Sequence, residues 1–325
     1  FTHHYYQSHR RKLRDYVFGY IGLLAKWGSK ARRFGNWIVG IGLVNRVLGL
    51  TPQRKLPRLQ SAGNPGIRQP VRLLIPNPQS PIPCIYLPDA FTRYFYPDDE
   101  AAALAVLRKL NFDVKILPMT GSGRTLISKG FLEAAKKHAR RVVDAIDAID
   151  PQGAYPIIGL EPSEIYTLRD EFPDFFPKDE HIQAIARRAW MIDEFLIRQS
   201  ANLPAFTPQP STVLLHGHCY QKAQPPADDG QPVGVQATVS MLQSAGYNVE
   251  VIDSGCCGMA GAFGYEAEHY EISMQVGELK LFPAARRASE DTIIAATGVS
   301  CQSQIENGAQ RTAIHPIHLL ARSLL

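Results

Sequence analysis

Cysteine is scarce in this sequence, with five among 325 residues, and that density cannot staple a disulfide-dense secreted scaffold. No run of 18 residues is apolar without a charge, which excludes a sequence-evident transmembrane helix. No signal-peptide pattern opens the chain, which starts Phe1-Thr2-His3 without Met. The expectation from these features is a cytoplasmic-side fragment of a longer protein. Missing too are a Gly-rich dinucleotide fingerprint, a Walker loop, a Ser-His-Asp motif and the cysteine run of a bacterial ferredoxin. Substrate chemistry is therefore expected outside this stretch. With 45% apolar residues the chain is not disordered, and its length suggests about two domains.

Acid is nearly absent from the first sixty residues, where twelve Lys/Arg face Asp15 alone. The remaining 265 residues hold 23 basic and 29 acidic groups. Apolar residues in the basic segment recur at helical spacing (Val17, Tyr20, Ile21, Leu24; Ile38, Ile41, Val44, Leu48). Breaks at Gly28-Ser29 and Gly35-Asn36 predict two or three short amphipathic helices. Packing against an acidic partner domain is the favoured reading of this segment, and peripheral contact with an anionic membrane is the alternative. Nucleic acid is not expected, because no basic stripe continues into the rest of the chain. Residues 51–70, rich in Pro, Gly and polar side chains, read as a linker.

Beyond the linker the sequence repeats itself at an offset of about 135 residues. Leu110-Asn-Phe-Asp-Val-Lys-Ile leads to Gly121-Ser122-Gly123, and Ala245-Gly-Tyr-Asn-Val-Glu-Val leads to Cys256-Cys257-Gly258. Helix patterns flank each copy, at 98–110 and 128–147 in the first and at 232–245 and 266–280 in the second. Strands alternating with helices predict an α/β protein: two pseudo-repeated lobes with mainly parallel sheets, preceded by a short basic helical segment. The expected divisions are 1–65 for the basic segment and linker, 66–207 for the first lobe and 208–325 for the second. Where the second copy has Cys219, Cys256, Cys257 and Cys301, the first has Asp89, Gly121, Ser122 and Glu164. Cys84 matches nothing and reads as a buried apolar thiol.

Thiolates on converging loops suit an iron–sulfur cluster or zinc. Thirty-six residues separate Cys219 from Cys256, and 43 separate Cys257 from Cys301. Neighbouring cysteines point in divergent directions and serve one small ion poorly, whereas a polynuclear cluster takes them at different irons; Cys256-Cys257 favours the cluster. Gly258 lets backbone approach the inorganic core. His216 and His218 flank the first cysteine turn; a hydrogen-bonding role around the ligands is favoured, with direct ligation by His218 as the alternative. Glu266, His269, Tyr270 and Glu271 read as a solvated helix face, and Arg124, Ser128 and Lys129 as a weak anion site. His315-Pro316 reads as a strand-to-helix turn.

The strings Asp253-Ser-Gly-Cys256-Cys257-Gly258-Met-Ala-Gly-Ala-Phe-Gly-Tyr-Glu266, Leu214-Leu-His-Gly-His-Cys219-Tyr-Gln-Lys222 and Gly298-Val-Ser-Cys301-Gln-Ser-Gln-Ile resemble the cysteine-rich CCG domain. That domain is shared by the iron–sulfur subunit of glycolate oxidase, heterodisulfide reductase and FAD-linked D-lactate dehydrogenases. The likeness is strongest to the C-terminal part of large fused flavin and iron–sulfur proteins that include D-2-hydroxyglutarate dehydrogenases. It covers residues 70–325, and the opening Phe1-Thr-His-His-Tyr-Tyr is similar to the stretch after their ferredoxin-type module. The resemblance implies one cluster of the 4Fe–4S type held by Cys219, Cys256, Cys257 and Cys301, with an empty first lobe. It also implies FAD outside this chain, flavin and ferredoxin-type domains as partners, and electron transfer from the flavin to an acceptor. A homo-oligomer stays open. Two features depart from the pattern: Gln304 stands where a closing C-x-x-C would place its second cysteine, and Thr120-Gly-Ser-Gly-Arg124 replaces the first CCG. Both leave room for a structural module with zinc or bare thiols, or for thiol–disulfide chemistry at Cys256-Cys257.

Overall fold

The computed structural model describes residues 2–60, 81–200 and 206–324. The 61–70 part of the expected linker, the 65/66 division and residues 201–205, just before the division between copies, lie outside the described residues. The chain opens with five short helices, α1 (Thr2–Ser8), α2 (Leu13–Gly19), α3 (Ile21–Lys30), α4 (Arg32–Val39) and α5 (Gly42–Val47). Next come β1 (Ile82–Tyr86), α6 (Ala90–Tyr94), α7 (Pro97–Lys109), β2 (Phe112–Ile116), α8 (Arg124–Ser128), α9 (Leu132–Ile149) and β3 (Ile157–Gly159). Helices α10 (Pro162–Arg169), α11 (Glu171–Phe175) and α12 (Glu180–Arg187) lead to β4 (Ala189–Met191) and α13 (Ile192–Arg198). The second copy runs β5 (Thr212–His216), α14 (Cys219–Lys222), α15 (Gly234–Ser244), β6 (Asn248–Val251), α16 (Tyr270–Leu279) and α17 (Leu281–Arg287). It ends with β7 (Ile293–Ala296), α18 (Val299–Ala309) and α19 (Pro316–Ser323).

Both sheets are parallel, ordered β2-β1-β3-β4 and β6-β5-β7, so the fold is α/β. The first three strands of each copy share one topology, with the opening strand in the centre. Local chemistry explains the elements. In α7, Pro97 starts the helix, Asp98, Asp99 and Glu100 fill the first turn, and Arg108 and Lys109 fill the last, matching the helix dipole. In α9 the buried residues Ala135, Ala139, Val142, Val143 and Ile146 recur at helical spacing.

Side-chain alternation along the strands divides the core. Cys84 and Tyr86 of β1 join Val213 and Leu215 of β5 in one apolar cluster with Leu107, Phe195, Leu242 and Leu319. Helix α7 packs on α19 and α13 on α15, so this cluster is common to both sheets. Ile85 and Leu87 face the other way, into a cluster with Val142, Ile157 and Phe172. Cys257, Cys301, Met259 and Phe282 belong to a third cluster on the outer side of the second sheet. Cys84 is fully buried, and burial pushes its thiol up to about 12.

The basic segment departs from expectation. Helix α3 runs through Gly28-Ser29 and α4 through Gly35-Asn36, giving five helices instead of two or three. A Cβ at Gly28 or Gly35 would sit 2.8 or 2.9 Å from the Leu59 side chain, so these glycines serve close packing and break nothing. Asn36 completes the contact by hydrogen-bonding both the carbonyl and the N–H of Leu59. The segment docks on the lobes of its own chain. Arg11 donates to the carbonyls of Lys129 and Gly130, while Arg14 pairs with Glu266 and Glu268. Thr51 N–H reaches the Tyr265 carbonyl at 2.9 Å, and both Thr51 and Arg54 are buried. The linker reading therefore fails for residues 51–54, which are part of the folded body.

The helix expected over 128–147 is interrupted at Gly130, whose φ is +71°, and divides into α8 and α9. Two short 3₁₀ turns precede Tyr270, where the helix expected over 266–280 begins. Glu266 is buried against Arg14 and Lys129, not solvated. Arg124 pairs with Glu171, and Lys129 with Glu266 and Asp15, so both cations are already committed to carboxylates. His315 caps α19 by accepting from Ile317 N–H at 3.1 Å. Among the described residues, no helix is long and apolar enough to cross a membrane.

Candidate metal centre

Parallel pairing brings the carboxyl ends of β5, β6 and β7 to one edge of the second sheet, the usual ligand edge of such sheets. Cys219 follows β5 at the first position of α14, where His218 Nδ1 accepts from Tyr220 N–H at 3.2 Å and caps the helix. Cys256 and Cys257 follow β6. Cys301 lies in the first turn of α18, after β7.

The turn after β6 depends on Gly258. Its φ of +93° is left-handed, and a Cβ there would collide with the Ser273 carbonyl. Held this way, Gly258 N–H donates to Cys256 Sγ at 3.3 Å. The four thiols form a row that runs inward from the surface: Cys219 and Cys256 are exposed, Cys257 and Cys301 buried. Hydrogen bonding to Cys219 and Cys257 pulls the Cys256 thiol below its ordinary range, and hydrogen bonding to Cys257 does the same for Cys301. Hydrogen bonding to Cys256 pushes the Cys219 and Cys257 thiols up.

His216 ends β5 fully buried beside the inner thiols. One of its ring nitrogens lies within a group whose ligand atoms, with Cys257 Sγ and Cys301 Sγ, are all within 4.8 Å of one another. Its Nδ1 meets Ser254 Oγ at 2.9 Å, and among the described residues its Nε2 has no hydrogen-bond partner. A buried imidazole beside two soft donors fits a bound metal or cluster. His218 stacks on Tyr220 and lies against Gly298, and burial lowers its imidazole. Lys222 Nζ donates to the Ser254 and Gly255 carbonyls and braces the turn. Sequence places Ser254 and Lys222 near cysteines, but the bond between them, which joins the first cysteine turn to the second, comes from the fold.

The four thiols do not all lie within 4.8 Å of one another. One tetrahedral zinc with 2.3 Å bonds would draw its four sulfurs to roughly 3.8 Å separations. The wider spread suits a polynuclear group.

The matching edge of the first sheet is filled by hydrogen bonds. Asp89 caps α6 by accepting from Phe91 and Thr92 N–H, and burial pushes its carboxyl up to about 7. Ser122 donates through both N–H and Oγ to Glu164 Oε2 at 2.6 Å, and a Cβ at Gly121 would press on the same carboxylate at 3.2 Å. Neighbouring Glu161 reaches across to accept from Val299 N–H at the start of α18, 3.0 Å away. The second acidic group near the basic segment, Glu266, Glu268 and His269, is held by Arg14 and Lys12.

An α/β protein with a cysteine-lined sheet edge is thus the class that fold and site define. The chain is 25% identical to the D-2-hydroxyglutarate dehydrogenase of Escherichia coli K12 over 97% of its own length and 31% of the relative's. It is 26% identical to the enzyme of the same name from Pseudomonas putida KT2440, again over 97% of this chain and 31% of the relative. One subunit of the anaerobic glycerol-3-phosphate dehydrogenase of E. coli K12 is 29% identical over 72% of this chain and 57% of its own length. The chain spans about a third of the length of the first two relatives. No family model matches it. These similarities relate the chain to oxidoreductases of the dehydrogenase type.

Proposed function

We propose that this chain is the iron–sulfur electron-transfer region of a FAD-linked D-2-hydroxyacid dehydrogenase of the D-2-hydroxyglutarate, D-lactate or glycolate type. The observation that carries this reading is the convergence of Cys219, Cys256, Cys257 and Cys301 from three turns onto one sheet edge. The names of the relatives support it. Residues 66–207 form the first lobe, without cluster ligands, and 208–325 the cluster-binding lobe. Flavin and ferredoxin-type domains belong to the longer enzyme, with FAD outside this chain, and the site works on the cytoplasmic side.

The four cysteines hold the cluster as thiolates. When bound, a cluster of the 4Fe–4S type supplies one-electron redox chemistry at a potential set by net charge and hydrogen bonds to sulfur. Gly258 aims its N–H at the Cys256 sulfur. His216, held through Nδ1 by Ser254, keeps its imidazole beside Cys257 and Cys301, and His218 holds the turn that carries Cys219. Burial of Cys257 and Cys301 excludes water from the inner half.

Anaerobically purified chain should contain about four iron and four acid-labile sulfide, with an EPR signal after dithionite, all lost in Cys257→Ser. Zinc, or no metal in intact protein, would sink the cluster reading. A second reading, thiol–disulfide exchange, is favoured by one feature: Cys256 is exposed and its thiol is drawn down by Cys219. It requires two fewer titratable thiols after mild oxidation of metal-free protein, reversed by reductant.

A further inference from the structure

Behind the Cys256-Cys257-Gly258 turn lies a buried cation. Arg54 is 4% exposed and comes from the stretch that joins the basic segment to the lobes. One of its terminal nitrogens donates to Gln304 Oε1 at 2.7 Å and touches Met259 Sδ at 3.4 Å; the other touches Met274 Sδ at 3.3 Å. The rings of Tyr265 and Tyr270 flank it with centroids 5.7 and 5.5 Å away. Among the described residues its Nε has no hydrogen-bond partner. Among the described residues no carboxylate pairs with it. A guanidinium buried among thioethers and phenols is costly unless an anion faces it.

The nearest chemistry able to supply that anion is the thiol row. Met259, whose sulfur touches Arg54, lies two residues after Cys257. Gln304 is one helical turn beyond Cys301 on α18, and its side chain touches the place where a Cβ of Gly258 would be. The same Gln304 donates to the Ser273 carbonyl at 2.9 Å, which fixes its oxygen toward Arg54. The residue that replaces a family cysteine is therefore the one that seats the cation.

We propose that Arg54, seated by Gln304, is the counter-charge of the cysteine site and a positioning residue that favours the more negative redox state of the group bound there. The inference rests on the reading of the cysteines as cluster ligands. Four thiolates around a cluster core leave net negative charge, which grows by one on uptake of an electron. A fixed buried cation stabilises the reduced state more than the oxidised state and raises the potential.

The test uses the full chain, reconstituted anaerobically with ferrous iron and sulfide, as wild type, Arg54→Lys and Arg54→Met. Iron content, thermal unfolding and the midpoint of an EPR-monitored dithionite titration are measured on each. The expected result is wild-type iron in all three and a tenfold or greater fall in the reduction equilibrium constant for Arg54→Met, about 59 mV for one electron. Arg54→Lys should stay within threefold of wild type. An Arg54→Met midpoint within threefold of wild type would overturn the proposal, as would an equal shift in Arg54→Lys, because packing rather than charge would then be responsible. If Arg54→Met does not fold, Arg54→Gln keeps a donor for Gln304 without the charge and carries the same comparison. Loss of iron from both neutral variants, with retention in Arg54→Lys, supports the charge requirement. Absence of iron from reconstituted wild type overturns the cluster reading and this inference together, and is seen before any potential is read.

Discussion

Three glycines and one carboxyl show how single residues set this protein's behaviour. Gly258 holds a left-handed turn against the Ser273 carbonyl, where a side chain meets both backbone strain and a collision. Gly258→Ala should cost at least ~1–2 kcal/mol from the backbone alone and empty the site of iron, read by thermal unfolding and metal analysis. Gly277 and Gly308 make room for the ring of Phe282 in the core beneath the cysteine turns. Asp193, buried at the start of α13, hydrogen-bonds Thr238 and the Glu194 N–H; burial, then Glu194, pushes its carboxyl up to about 7 from 3.8. The folded chain therefore holds a proton there that the unfolded chain releases at lower pH. Its contribution to stability is fully present below pH 3.8 and is lost as pH rises toward 7. Relative to Asp193→Asn, metal-free wild type should weaken across that window by on the order of 1.4 kcal/mol per pH unit at most, in denaturant titrations at a series of pH values. A difference that does not change with pH would contradict this assignment. These positions are legible only in part: a glycine after two cysteines stands out in sequence, but Asp193 looks like any helical acid until the fold buries it.

The basic opening segment illustrates what sequence does and does not convey about an element. Its charge and helical period are plain in the sequence, and the helices are there. Their breaks are misplaced, because Gly28 and Gly35 look like interruptions until Leu59 is seen packed on both. Its inner face is committed through Arg14 to Glu266 and Glu268, while Trp27, Phe34, Trp37 and Leu43 stay more than half exposed. The two faces should respond differently to substitution. Trp37→Ala should change stability by no more than about 0.5 kcal/mol, as for other exposed sites. Arg14→Met should cost about 3 kcal/mol, because Glu266 is left buried with Lys129 as its remaining strong partner. Denaturant midpoints of the two variants check the contrast. Equal losses would mean that the segment is not docked through Arg14.

At the scale of the whole molecule, the two copies are tied by one core. Val213 and Leu215 of the second sheet and Cys84 and Tyr86 of the first bury against the same helices. Leu319→Ala, in α19 between the sheets, should cost about 2–5 kcal/mol and should loosen both copies together. Hydrogen exchange in denaturant checks this: amides of β1 and β5 should lose protection at the same concentration. Loss in β5 alone would mean that the copies are independently stable.

The internal repeat, the α/β class and the asymmetry between four cysteines in one copy and none at the matching places in the other are determined by sequence. Alternating strand and helix patterns can satisfy their backbones and bury their apolar faces in few ways, and parallel strands send successive turns to a common edge. Tertiary structure alone decided what surrounds that edge. It brought the imidazole of His216 beside Cys301, filled the matching edge of the first copy with Ser122 and Glu164, and carried Arg54 from an apparent linker to Gln304. Those contacts join residues as far as 250 positions apart. No local period or motif encodes such a meeting, because burial of a charge is a property of what finally packs around it.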